Sequence, residues 1–185
     1  TTAAESAIAA YATAHRIEHL FFIPIISMAT SMVTLTGMFY GAKKYDLINR
    51  LLKYCIKYAL VVSIVFSMIF YLFSDVILSL FITDKDVINI GVGYFNIFSF
   101  AIPFITLTMI FSRVIQGLGK SYPMFIITCL RVIIISCSLG WYFIVIGNKP
   151  LEYAWIAILL SCLIAAIISF IWLIIELRKL KITSS

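Results

Sequence analysis

The stretch Tyr58–Ile82, YALVVSIVFSMIFYLFSDVILSLFI, is rich in Val, Ile and Phe. It exceeds the roughly 20 apolar residues that a bilayer-spanning helix requires. Working outward, four more segments of the same kind appear, so that spans are expected at about 7–40, 58–82, 87–116, 123–147 and 151–177. Basic residues fall on alternate connections between them. Lys43, Lys44, Arg50, Lys53 and Lys57 follow the first segment, Arg113 and Lys120 the third, and Arg178, Lys179 and Lys181 the fifth, whereas the other two connections hold only Lys85 and Lys149. Short cytoplasmic loops carry the excess of Lys and Arg. The sequence therefore reads as an all-α, polytopic membrane helix bundle, a single transmembrane domain over 1–185 with its first residues outside and its last in the cytoplasm.

Composition agrees. With 63% hydrophobic and 12% charged residues, the chain is far from the charge content of about 25% found in soluble domains. The net charge of +6 gathers at helix ends on one side of the membrane instead of forming a stripe, so membrane lipid and not nucleic acid is the expected partner. Cys55, Cys129, Cys137 and Cys162 lie in or beside apolar segments with no CxxC pair, and read as small buried hydrophobes. The opening TTAAESAIAAYATA has neither a basic n-region nor an initiating Met. It is not a signal peptide, and the natural start is expected upstream.

Along the chain, the first segment is longer than the hydrocarbon core, and its Ala-rich first turns carry His15, Arg16, Glu18 and His19 toward the outer surface or a wet cavity. Pro24 lacks an N–H, which predicts a bend near Leu20. Residues 43–57 place Ile48, Leu52 and Cys55 on one helical face and most of the lysines on the other, the pattern of an interfacial amphipathic helix. Thr83 and Asp86 have capping-box spacing. Pro103 interrupts the third span, and the run from Gly117 to Pro123 is the clearest breaker. Gly147-Asn148-Lys149-Pro150 turns the fourth span into the fifth, where Tyr153, Trp155 and Trp172 suit interfacial aromatic belts.

Ionisable residues in a spanning helix are costly, and so mark candidate sites. Arg16 and Glu18 are such residues; they are either an ion-paired outer helix end or part of a substrate cavity. His15 and His19 have the i, i+4 spacing of a metal pair, but no third ligand of the usual type stands nearby and no metal is expected. Arg131, about eight residues into the fourth span, is expected to snorkel to the inner surface in preference to a role inside the bundle. Pro24 and Pro103, with Ser99, Thr106 and Thr108 nearby, mark a plausible pathway, since broken helices border cavities in transporters. The candidate lining set is Arg16, Glu18, His19, Pro24, Ser99, Pro103 and Thr106. Gly117-Leu118-Gly119-Lys120-Ser121 lacks phosphate-loop spacing and reads as a connector. No Ser/His/Asp triad or registered carboxylate pair supports an enzyme.

Ala9–Asp46, AAYATAHRIEHLFFIPIISMATSMVTLTGMFYGAKKYD, resembles the eighth helix and following loop of multidrug and toxic compound extrusion (MATE) transporters. LFITDKDVI at Leu80–Ile88 is similar to the outer turn between their ninth and tenth helices, and IQGLGKSYPM with Arg131 downstream to the turn between the tenth and eleventh. The resemblance implies helices eight to twelve of a 12-helix fold, most of its C-terminal lobe, with helices one to seven missing. It further implies a multidrug efflux antiporter of the plasma (inner) membrane, exchanging Na⁺ or H⁺ for small amphipathic, cationic xenobiotics by alternating access, with no other cofactor. No Asp or Glu lies between Val87 and Gln116, which departs from the branch with an acidic tenth helix and shifts coupling toward the missing half. The alternatives are a lipid-linked oligosaccharide flippase of the same broader superfamily, or a non-transporting scaffold subunit.

Overall fold

In the computed structural model, residues 3–147, 150 and 152–183 are described; they form helices joined by short turns, with no strand among them. Helix α1 (Ala3–Gly41) has 39 residues. At 1.5 Å per residue it is about 58 Å long, nearly twice the hydrocarbon thickness. It runs through Pro24 without leaving the helical backbone. Beyond Gly41, Lys43 adopts a left-handed φ of 55°, and the Lys44 N–H donates to the Phe39 carbonyl at 2.9 Å, closing the turn into α2.

Helix α2 (Tyr45–Ser79) takes in most of the amphipathic stretch 43–57, which runs on into the second apolar segment as one helix. Its apolar face is buried in the bundle: Ile48, Leu52 and Cys55 pack in one cluster with Met32 of α1 and Ile110 and Val114 near the end of the third span. Arg50, Lys53 and Lys57 remain exposed. The helix kinks at Phe73, whose φ of −118° and ψ of 19° are not helical.

The third apolar segment is two helices, α3 (Lys85–Phe98) and α4 (Ile102–Gly117), bent by 56° across their junction. The cap of α3 is Asp84, whose Oδ1 accepts the Asp86 N–H at 2.9 Å; the capping box expected from Thr83 is replaced by this shorter Asx arrangement. Pro103 lies in the first turn of α4, where the missing N–H is tolerated. In a continuous helix residue 103 would donate to the carbonyl of Ser99. That carbonyl is instead taken by Ser67 Oγ of α2, at 2.7 Å.

Helix α5 (Tyr122–Ile146) is wound as a π-helix at Leu130–Ser136 and again at Tyr142–Ile146. Helix α6 (Glu152–Thr183) closes the bundle; of the turn expected before it, Asn148 and Lys149 lie outside the described residues, as does Leu151. Helices α1, α2, α5 and α6 are each long and apolar enough to cross a membrane, and α3–α4 makes a fifth crossing if read as one broken span.

Lipid tails are as apolar as Leu, so close packing and polar contacts hold such helices together more than apolar burial does. Helix α1 packs on α2, α3 and α4, and α6 packs on α3, α4 and α5. Buried Ala10, Ala14, Ala29, Ala157 and Ala165 let these backbones approach. At Gly117 the approach is closest, since a Cβ there would lie 2.7 Å from both Thr36 Cβ and Val33 O. Near the same end Glu176 of α6 is buried and accepts from Lys120, in the turn before α5, and from Lys179 at 3.3 Å. The hydrogen bond to Glu176 holds the Lys120 ammonium above its usual range.

Removing the Ser67 hydroxyl leaves the Ser99 carbonyl without its donor. Ser67→Ala in the full-length protein is expected to cost about 1 kcal/mol of stability, read from unfolding in detergent micelles. In a Pro103→Ala background, where residue 103 regains an N–H for that carbonyl, the same change should cost much less; an equal cost in both backgrounds contradicts this account.

Candidate functional site

Tyr11, His15, Glu18 and Phe22 recur at helical spacing on one face of α1 and form one wall of a cavity of about 360 Å³. Tyr94 and Phe98 of α3, Met109 of α4, Arg131 and Ser136 of α5, and Ser161 of α6 complete it. The cavity thus draws on α1, α3, α4, α5 and α6. Behind it lies the larger of the buried clusters, in which Ala14, Ile17 and Phe22 join Phe70, Phe95, Trp155 and Cys162.

The walls near α1 are aromatic. The Tyr11 ring stacks on Trp155 with centroids 5.8 Å apart and meets Tyr94 edge-on at 5.5 Å. Tyr94 in turn stacks on Phe98 at 5.2 Å and stands edge-on to Trp155 at 4.9 Å. Such offset and edge contacts fix ring orientation beyond what burial alone gives. His15 and His19 lie along the same wall, 5.0 Å apart. Among the described residues no group of three His, Cys, Asp or Glu side chains is placed to hold a metal ion.

Glu18 is the carboxyl group enclosed by this wall. It is 4% exposed, the Tyr94 phenol lies beside it, and its Oε1 has no hydrogen-bond partner. It makes no ion pair with His15, one turn away on the same helix. A buried polar atom without a partner is costly, about 1–3 kcal/mol or more for a charged group. The site therefore holds an unmet demand for a donor or a cation.

Of the residues singled out from sequence, Glu18 and His19 line the cavity. Arg16 and Pro24 are exposed and outside its lining. Ser99 and Thr106 are buried at the α3–α4 junction, where their hydroxyls donate to the carbonyls of Asn96 and Ile102 at 3.0 and 2.9 Å. Together with Pro103 they shape the break and do not reach the cavity. Arg131 departs most from expectation: its side chain does not snorkel outward but lines the cavity, with Nη1 donating to Cys162 Sγ at 3.6 Å. It sits on the first π-helical stretch of α5, and an added residue per turn re-aims a side chain that regular winding would direct elsewhere. Tyr94 was not marked by the sequence reading; its polar tip inside an apolar span was the available signal.

The model of the family MatE matches residues 2–142, well over half of the chain. The chain belongs to the MatE family. The MatE fold is matched closely by solved structures. A MOP superfamily transporter from Pyrococcus furiosus, described as having a binding pocket of reversed polarity, matches with a TM-score of 0.91 and 24% identity, over 96% of this chain and 40% of its own. Outward- and inward-facing structures of a multidrug resistance MATE family transporter match at TM-scores of 0.89 and 0.87, with 24% and 23% identity, each over 96% of this chain and 40% and 41% of theirs. The chain thus spans about 40% of the length of the transporters it resembles. No match is found among curated proteins.

Tyr94→Phe keeps the ring contacts and deletes the hydroxyl beside Glu18. It is expected to destabilise the full-length MatE protein by about 1–2 kcal/mol, measured by unfolding in micelles, and to cost markedly less when combined with Glu18→Leu. Equal costs in the two backgrounds would separate Tyr94 from Glu18.

Proposed function

We propose that this chain is the C-terminal part of a secondary active multidrug efflux transporter of the plasma (inner) membrane, which exchanges Na⁺ or H⁺ for small amphipathic cations by alternating access. The observation that carries the reading is Glu18: a buried carboxyl with an unpartnered oxygen, set in an aromatic-walled cavity of drug-accommodating size. A cation, whether substrate or coupling ion, supplies what that oxygen lacks, and the cavity-lining Tyr11 and Tyr94 rings offer apolar and cation–π contact to flat substrates. Supporting it, the chain fits outward- and inward-facing relatives almost equally well, as a lobe moving largely as one body would. The partner lobe would come from the missing N-terminal half.

A second reading, a flippase for lipid-linked oligosaccharide, is favoured by Arg131 in the cavity wall, since a phosphate-bearing lipid needs cationic partners. It predicts that Glu18 is dispensable and Arg131 is not.

For orientation, the ends of α1, α4 and α6 meet where Gly37 approaches Gly117 and Lys120 bonds Glu176. The loops carrying Lys43, Lys44 and Lys120 therefore gather at one end of the bundle. The excess of Lys and Arg in cytoplasmic loops supports reading this end as the inner one.

Single cysteines placed at Lys44, Lys85 and Lys120 of a cysteine-free full-length protein should label with a membrane-impermeant maleimide from outside only at position 85. The opposite pattern would invert the assignment.

Efflux of several cationic dyes by the full-length protein, compared with Glu18→Gln at matched membrane expression, tests the transport reading. Loss of the charge should lower efflux about tenfold or more, as expected for an unscreened charge contact worth at least 1.4 kcal/mol. Unchanged efflux across the dyes would return Glu18 to a structural role.

A further inference from the structure

Arg131 brings a permanent positive charge and five N–H donors to the cavity wall. Little of that capacity is used: one nitrogen donates to the Cys162 thiol, at 3.6 Å, and a thiol sulfur is a weak acceptor. Glu18, across the same cavity on α1, keeps Oε1 without a partner. The Glu18 carboxyl and the Arg131 guanidinium do not form an ion pair with each other, although both line one cavity. They are held apart on different helices, α1 and the π-helical part of α5. The cavity consequently presents a separated acceptor and donor, with the Tyr11 and Tyr94 rings on the Glu18 side and the hydroxyl-bearing Ser136 and Ser161 also in its lining.

We infer that Arg131 is a specificity-determining residue that receives an anionic group of the substrate, so that the cavity selects molecules carrying both charges: an amine or iminium near Glu18 and the aromatic rings, and a carboxylate, sulfonate or phosphate at Arg131. The planar guanidinium fork suits this role, because it matches a carboxylate or phosphate with two parallel hydrogen bonds. Anionic groups of this kind are far better acceptors than Cys162 Sγ and displace only a weak contact. This rests on the cavity being the substrate site.

The test measures binding, not transport. Full-length protein in nanodiscs is titrated with one xanthenium dye in two forms, the methyl ester, a monocation, and the free carboxylate, a zwitterion, and both Kd values are read from dye anisotropy. The wild type is expected to favour the carboxylate. In Arg131→Gln the ratio of the two Kd values should fall about tenfold, and Arg131→Lys, which keeps the charge without the fork, should retain part of it. Cys162→Ser, which gives Arg131 a stronger internal acceptor, should narrow the ratio as well. An unchanged ratio in Arg131→Gln, equal loss of both dyes in the glutamine and lysine variants, or a wild type that prefers the ester or binds neither form overturns the proposal. A shifted ratio in a protein that shows no gradient-dependent efflux would instead defeat the transport reading while leaving this one standing.

Discussion

Inside hydrocarbon no water reaches the backbone, so every N–H and C=O there must find its partner within the protein. The bundle follows from meeting that demand wherever a helix is interrupted. The sharpest interruption, between Phe98 and Ile102, is viable because Ser67 of the neighbouring helix donates to the carbonyl that Pro103 leaves open. The bond fixes α2 against the α3–α4 junction, and the junction in turn lets α3 lean toward α1 while α4 follows a different line. Without that angle Tyr94 would not stand beside Glu18, and the cavity would lose its aromatic wall.

Two buried carboxylates show how differently one residue type is treated. Glu176, at the basic end of the bundle, is met by Lys120 and Lys179, and its burial is compensated by partners from its own helix and a neighbouring turn. Glu18, at the other end, has a phenol for company and one oxygen unmet. A fully paired carboxylate reads as a fastener between α6 and the turn after α4. A partly paired one is stable only if the surrounding packing is strong, and here it is: Phe22, Phe70, Phe95 and Trp155 all belong to the cluster behind it.

Much of the fold was legible because hydropathy and charge are averaged over whole segments. Five apolar runs and alternating basic connections need no detail of packing to be read. The amphipathic stretch after Gly41 was legible as a pattern, yet its burial was not, since facing a bilayer surface and facing Met32 and Ile110 require the same apolar stripe. For the site, Glu18 and His19 were visible as ionisable residues in a span. Arg131 misled because snorkelling is inferred from distance along a regular helix, and the π-helical winding at Leu130–Ser136 has no evident sequence mark. Ser99 and Thr106 misled in another way. Hydroxyls near a proline serve the broken backbone as readily as they serve a pathway, and only their bonds to Asn96 and Ile102 decide between the two.

The crossing at Gly117 has a mechanical consequence. With Thr36 Cβ and Val33 O sitting where a side chain on residue 117 would begin, α1 and α4 meet almost backbone to backbone, with no layer of rotatable groups to shear. That joint behaves as a weld. Any change of shape that preserves it has to be absorbed elsewhere, at places where regular winding is already interrupted: the Phe73 kink, the Ser99–Ala101 junction and the two π-helical stretches of α5. The lobe is accordingly stiff along the seam between α1 and the end of α4 and compliant toward the helices that carry Tyr94 and Arg131.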